Sequence, residues 1–195
     1  MRTGEIKRKT NETDIQLKLN VDGTGKYNNV TGCGFLNHML DLFAKHGRFD
    51  LNIVCDGDVG VDDHHTVEDV GIALGEAFNT ALGDKRGITR YGSTLLPMDE
   101  ALILCSLDIS GRNFLGFDVI IPSQKVGTFD TELVKEFMLA LTRSMGLTLH
   151  IKMLEGENSH HIIEAIFKGL GKALRTAVLI EESYKDEIPS TKGVL

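Results

Sequence analysis

The sequence predicts an α+β fold made of two copies of a β-β-β-α-β-α half, packed as a sheet/helix sandwich with pseudo-two-fold symmetry. Three observations predict it. The chain is self-similar: DDHHTVEDVGIALGEAFNTALG and NSHHIIEAIFKGLGKALRTAV both read H-H-x-x-E and then run on as an amphipathic helix, with His64 over His160 at an offset of 96. Two upstream blocks match in the same order. HMLDLFAKHGRFDLNI, from His38, lies over EFMLALTRSMGLTLHI, from Glu136, at 98, and ETDIQLKLNVDG lies over EALILCSLDISG at 88, with Glu12 facing Glu100 and Gly23 facing Gly111. Arg2 and Gly4 face Arg90 and Gly92 at the same offset. Finally, strand and helix patterns alternate identically in each copy. The copies cover residues ~1–86 and 87–185, a tail follows at 186–195, and ten additional residues of the second copy fall around NFLGFDVIIPSQK. No Pro- or Ser-rich linker separates them, so one packed unit is expected.

Each element has its own signal. The opening segment of each copy adds a strand. IQLKLNV alternates and LILCSLDI is nearly all apolar, so both read as strands. Turn residues follow, DGTGKYNN and SGRN. Helices are expected from about Phe35 to Lys45 and from about Thr131 to Ser144, ending at Gly47 and Gly146, where a C-cap favours φ > 0. Short strands follow, FDLNIVC and LTLHIKM. H-H-x-x-E helices over 64–82 and 160–178 close the copies, giving each half two helices to cover one apolar sheet face.

Composition narrows the function. The 195 residues are 42% hydrophobic and 25% charged, near the globular average, which excludes disorder, collagen and coiled coil. With 21 Lys+Arg against 28 Asp+Glu the net charge is −7, which argues against general capture of nucleic acid. An anionic small molecule would need basic residues that converge locally. Cys33, Cys55 and Cys105 are odd in number and widely spaced, so they read as buried free thiols rather than disulfides or a thiolate zinc site. The start, MRTGEIKRKTNETD, is too polar for a signal peptide, and no apolar run approaches the ~20 residues of a membrane span. A cytoplasmic protein without membrane partners is expected.

The H-H-x-x-E helices carry the chemistry. His64 and Glu68 are four apart and share a helical face, so they can grip one ion from one rigid element. His65 points about 100° away, so it serves a second ion or a substrate. His160, His161 and Glu164 repeat the geometry. The aligned first helices add His38 and Glu136. These eight candidates divide into four ligands for each of two ions, leaving open positions on an octahedral metal. Imidazole with carboxylate and no thiolate suits Mn, Fe, Zn or Ni. His150, in a strand among apolar neighbours, reads as a core histidine. His46, at a helix end, is a candidate substrate contact. Lys168 continues the His160–Glu164 line, ~12 Å from His160 along the axis. With Arg90, Arg112 and the STKG tail, Ser190 and Lys192 included, it would suit a phosphorylated small molecule with a metal-seeking head.

Together, GFLNHMLDLFAKHGRFDL, DDHHTVEDVGIALG, SLDISGR, NSHHIIEAIFKGL and PSTKGVL make the chain similar, over essentially its whole length, to the imidazoleglycerol-phosphate dehydratases, in their form without a fused phosphatase domain. The resemblance implies a hydro-lyase of histidine biosynthesis that converts imidazole glycerol phosphate to imidazole acetol phosphate through a metal-bound imidazolate. It implies two Mn²⁺ per site on His38, His64, His65, Glu68, Glu136, His160, His161 and Glu164; some relatives carry His where this chain has Glu136. Phosphate contacts would fall on Arg90, Arg112, Lys168, Ser190 and Lys192; His38 and, from its place at a helix end, His46 are read as further substrate contacts. Glu12 would be the acid/base carboxylate, acting with the ligands His65, Glu68, His161 and Glu164; Asp99 and Glu100 stand at the equivalent place in copy two. The family forms cages of 24 subunits with sites at subunit junctions. Two other classes remain open from the residues alone: a dinuclear metal hydrolase, and a non-catalytic protein whose ions join subunits.

Overall fold

The computed structural model describes residues 1–195 and divides into two similar halves. The first half contains β1 (Thr3–Lys9), β2 (Thr13–Asn20), β3 (Tyr27–Val30), α1 (Gly34–Gly47), β4 (Asp50–Gly57) and α2 (His64–Leu82). The second contains β5 (Tyr91–Met98), β6 (Ala101–Asp108), β7 (Phe114–Asp118), the short hairpin β8 (Lys125–Val126) and β9 (Phe129–Asp130), α3 (Leu133–Met145), β10 (Thr148–Glu155) and α4 (Ser159–Ala177). Each half has a four-stranded sheet, ordered β1-β2-β4-β3 and β5-β6-β10-β7, with its last-numbered edge strand parallel to the neighbour and the rest antiparallel. The ten additional residues of the second half lengthen β7 and form the β8–β9 hairpin.

Alternation places Ile15, Leu17 and Leu19 of β2 and Leu51, Ile53 and Cys55 of β4 on one buried face. The helices cover that face and its equivalent. α1 and α2 lie on the first sheet, α3 and α4 on the second, and across the halves α1 packs on α4 and α2 on α3. The order is therefore sheet, helices, helices, sheet, around one continuous core. All three cysteines are buried and unpaired, and no helix is long and apolar enough to cross a membrane.

Helix direction positions the site. α1 ends where β4 begins and α2 begins where β4 ends, so both helices run against β4; α3, β10 and α4 repeat this. Across the halves, Gly171 of α4 lies against Phe43 and Gly47 of α1, while His38 meets Glu164 a few turns earlier. Gly71 and Gly75 of α2 lie against Ala140 and Ser144 of α3. Each cross-half pair thus runs in one direction, and all four N-termini face the same end of the molecule.

Three local expectations are corrected. The third strands, β3 and β7, begin within or directly after the segments read as turns. β3 holds Tyr27, Asn28 and Asn29, so its polarity hid it; it pairs with β4 at a sheet edge, where only Asn29 is buried. Gly47 is the last residue of α1 and does not have φ > 0; the left-handed C-cap falls on Arg48, at φ 59°, aligned with Gly146 at φ 65°. Gly47 is small because a Cβ there would meet the Phe49 ring and the Gly171 carbonyl. His150 is exposed on the outer face of the second sheet, beside Phe114, because its apolar neighbours Leu149 and Ile151 take the inner face.

The aligned glycines Gly4 and Gly92 let each first strand touch its closing helix. A Cβ at Gly4 would lie 2.1 Å from the Ala77 carbonyl oxygen, and one at Gly92 1.9 Å from that of Ala173. Both obstacles are backbone, so Gly92→Ala is expected to destabilise the chain by about 2 kcal/mol or more. An unchanged urea midpoint would contradict this close approach.

Candidate metal centre and active-site residues

The end that carries the helix N-termini gathers the H-H-x-x-E motifs. Asn158 caps α4, its side chain accepting the His160 and His161 N–H groups, and Asp62 does the same for His64. The adjacent rings diverge as expected, 6.4 Å apart and 80° to one another for His160 and His161.

One group that could hold a metal ion forms within the chain. His38, His160 and Glu164 bring their donor atoms within 4.8 Å of one another. Glu164 Oε1 lies 2.9 Å from His38 Nε2 and 3.1 Å from His160 Nε2, and its Oε2 is 2.5 Å from Lys168 Nζ. Burial alone would raise the Glu164 carboxyl; the Lys168 ammonium, His38 and His160 outweigh it and hold it at about 2. A carboxylate that stays charged in a buried place, facing two imidazole nitrogens, fits a divalent transition metal, whose donors sit about 2.0–2.2 Å from the ion. Phe35 packs edge-on to His160 and touches Phe129, so the β9 hairpin supports this end of the site.

The first half repeats the group loosely. His64 Nε2 is 3.9 Å from Glu68 Oε2. Ala140 packs at Gly71, so Glu136, one turn earlier, stands level with the His64–Glu68 turn. Where the second half has Lys168 the first has Ile72.

His65 and His161 face away from these groups towards carboxylates. Asp58 contacts His65 Nδ1 at 2.9 Å, and Glu100 contacts His161 Nδ1 at 2.8 Å. On the other nitrogen, Glu12 lies 3.6 Å from His65 Nε2 and Asp99 3.7 Å from His161 Nε2. Hydrogen bonds donated to Asp58 and Glu100 raise the two imidazoles above their ordinary value, and His161 with the N–H of Asn158 holds Glu100 at about 2.

The cationic residues separate into two places. Lys168 sits ~12 Å along the axis from His160, but its ammonium does not stay that far off, because helical side chains lean towards the N-terminus and it reaches back to Glu164, which His160 also contacts. His46 lies near it; burial first, then Lys168 and Lys172, push that imidazole down. Arg90, Arg112 and the tail occupy the opposite end. The Arg90 N–H donates to the Ala177 carbonyl at the C-terminus of α4, 17 residues from His160, about 25 Å along the helix. Its guanidinium holds Asp108 at 2.7 and 3.1 Å and the Pro189 carbonyl at 2.7 Å. Leu195 lies against Gly111, so the tail folds onto this corner beside the exposed Arg112. Ser190 Oγ accepts the Lys192 N–H, and the Lys192 side chain is exposed.

Asp58 and the supports of Glu12 carry no sequence signal of their own. Asp58 is one acid in the DGDVGVDD run, and only its register against Glu12, whose carbonyl accepts the Asp58 N–H, singles it out.

The profile of the family described as imidazoleglycerol-phosphate dehydratase matches residues 31–174. The chain belongs to this family. It is 56% identical over 195 residues to the imidazoleglycerol-phosphate dehydratase of Jannaschia sp. (strain CCS1), covering all of both chains, and 58% identical over the same length to that of Dinoroseobacter shibae. Its structure matches the Staphylococcus aureus imidazoleglycerol-phosphate dehydratase with a TM-score of 0.84 and 41% identity, over 92% of this chain and 99% of that one. It matches the Pyrococcus furiosus enzyme, solved in complex with (S)-C348, with a TM-score of 0.82 and 42% identity, over 97% of this chain and 100% of that one. Membership of the imidazoleglycerol-phosphate dehydratases makes the chain a hydro-lyase of histidine biosynthesis and sets aside the hydrolase and non-catalytic alternatives.

Proposed function

We propose that the chain dehydrates imidazole glycerol phosphate to imidazole acetol phosphate at a centre of two Mn²⁺ ions, assembled where copies of the chain meet. The observation that carries this reading is the converging His38, His160 and Glu164 group, with the cation-bearing corner about 25 Å away along α4. A small substrate cannot span both places in one chain. A neighbouring copy that brings its Arg112 and tail to the helix N-termini supplies the missing end. The separation supports a closed homo-oligomer, for which the family resemblance implies a 24-subunit cage, and a biosynthetic enzyme of this kind would work in the cytoplasm.

Bound metal would hold the substrate's imidazole as an electron-rich imidazolate, which makes departure of the C3 hydroxyl feasible. His38, His160 and Glu164 would hold one ion, and His64, Glu68 and Glu136 the equivalent place in the first half. His65 and His161, whose Nδ1 atoms are held by Asp58 and Glu100, would offer their Nε2 atoms to complete these sets across a subunit junction. Lys168 neutralises Glu164 Oε2 and leaves Oε1 to the ligand side. Arg112, Lys192 and Ser190 would take the phosphate, with Arg90 holding the tail through Pro189; His46 and Lys168 line the substrate path.

Glu12 would move the C2 proton. Its carboxylate is half exposed and accepts no hydrogen bond within the chain, so it is open to substrate. Glu12→Gln is expected to lower kcat by about 10²-fold while metal content and substrate affinity stay near wild type. A normal kcat would remove Glu12 from this role.

A further inference from the structure

We propose that Thr10 and Asp69 are positioning residues for Glu12, built into the first half alone. The proposal rests on the reading of Glu12 as the proton-transfer group.

The duplication provides an internal comparison. The β1–β2 and β5–β6 hairpins share one register, Gly4 facing Leu19 as Gly92 faces Leu107, so the Asn11–Glu12 turn corresponds to Asp99–Glu100. Their glutamates are used differently. Glu100 is fully engaged: Oε2 contacts His161 Nδ1 at 2.8 Å, and Oε1 accepts the N–H groups of Asn158 at 2.7 Å and Glu157 at 3.3 Å. In the first half the same contact to His65 Nδ1 comes from Asp58, which follows β4. In the second half a register shift between Met153 and Glu155 and a β10–α4 connection three residues shorter than the β4–α2 one leave no residue in Asp58's place, and Glu100 takes His161 Nδ1 instead. Asp58 therefore releases Glu12 from the task that occupies Glu100.

A released carboxylate must be aimed through its backbone. The Glu12 N–H donates to Thr10 Oγ1 at 3.1 Å, and the Asp58 N–H donates to the Glu12 carbonyl at 3.1 Å. Thr10 Oγ1 also accepts the Thr13 N–H at 3.0 Å and donates to Asp69 Oδ2 at 3.4 Å. Asp69 is only 7% exposed. Its carboxylate takes the Thr13 hydroxyl at 2.6 Å and the Arg8 guanidinium at 2.8 and 3.2 Å. It sits one helical turn beyond His65, so the network fixes the turn that carries Glu12 to the helix that carries its histidine partner.

The second half shows that the hairpin does not need this network to form. Its equivalents of Arg8, Thr10, Thr13 and Asp69 are Leu96, Met98, Ala101 and Ala165, and the same strands and helix pack there with apolar contacts. A buried carboxylate is expensive unless fully bonded. It is present only where the turn glutamate is free.

A double-mutant cycle tests this, with kcat, KM, metal content and native mass measured on the assembled, metal-loaded enzyme. Thr10→Val is expected to lower kcat about tenfold or more, as small displacements of a reacting group do, with KM and metal content within about twofold of wild type. Thr10→Ser, which keeps the hydroxyl, restores kcat. In a Glu12→Gln background Thr10→Val causes no further loss, because it acts only through Glu12. Asp69→Asn follows the same pattern and decides the matter if Thr10→Val does not assemble. Losses that multiply with Glu12→Gln, or a normal kcat in Thr10→Val while Glu12→Gln is slow, overturn the positioning role alone. A normal kcat in Glu12→Gln overturns the reading of Glu12 beneath it.

Discussion

If the proposed centre holds metal, treating the enzyme with a chelator is expected to abolish dehydration, lowering kcat by about 10³-fold or more, with Mn²⁺ restoring it best and Mg²⁺ poorly. The size follows from the substrate. A proton on C2 of a glycerol phosphate is weakly acidic, and the C3 hydroxyl is a poor leaving group without a strongly donating ring beside it. Lewis-acid stabilisation contributes several kcal/mol, and each 1.36 kcal/mol is about tenfold in rate. No group within the chain can substitute: without an ion, Glu164 Oε1 is taken up by His38 and His160 and its Oε2 by Lys168. The order of rescue follows from the donors. Imidazole and carboxylate suit transition metals, whereas Mg²⁺ prefers oxygen and water. Metal analysis, native mass and turnover should be measured on one preparation, so that loss of ions is separated from loss of assembly. A chain shown to be metal-free that still turns over at the normal rate would end the metal reading.

What the sequence made legible, and what it hid, follows from the range of each signal. The H-H-x-x-E helices were readable because a metal-gripping pair needs i, i+4 spacing on one element, and the duplication repeated it. Gly4 and Gly92 were visible as an aligned pair, though their reason, a strand resting on a helix carbonyl, is a tertiary contact. A third strand was counted but β3 was not placed, because an edge strand with polar Asn28 and Asn29 lacks alternation. His150 was misread because a strand buried on one face and one buried on both look alike over five residues. The division of the candidates was least legible. The order of residues does not say that Arg90 lies at the C-terminal end of α4, or that Lys168 bends back onto Glu164. Asp69 and Arg8 are 61 residues apart, and a buried ion pair of that separation leaves no periodic trace.

Mixing two crippled chains is expected to restore activity that neither has alone. Glu12 stands at the helix N-terminal end and Arg112 at the opposite corner beside the tail. If each site takes its acid/base group from one copy and its phosphate cation from another, Glu12→Gln and Arg112→Ala damage different contributions to the same site. Glu12→Gln loses about 10²-fold in kcat. Arg112→Ala loses a charge-assisted hydrogen bond of about 1.5–3 kcal/mol, roughly 10- to 100-fold in kcat/KM. When equal amounts are co-assembled at random, roughly a quarter of the sites draw an intact Glu12 from the arginine variant and an intact Arg112 from the glutamate variant. Measured at low substrate, the hybrid should reach that fraction of the wild-type rate, well above either parent. A site made within one chain gives a different result. Every site in the hybrid then keeps one lesion, and the rate stays at the average of the parents. That outcome would require Arg112 to lie close to Glu12 in a single copy, against the helix length that separates the two ends, and it would overturn the shared site.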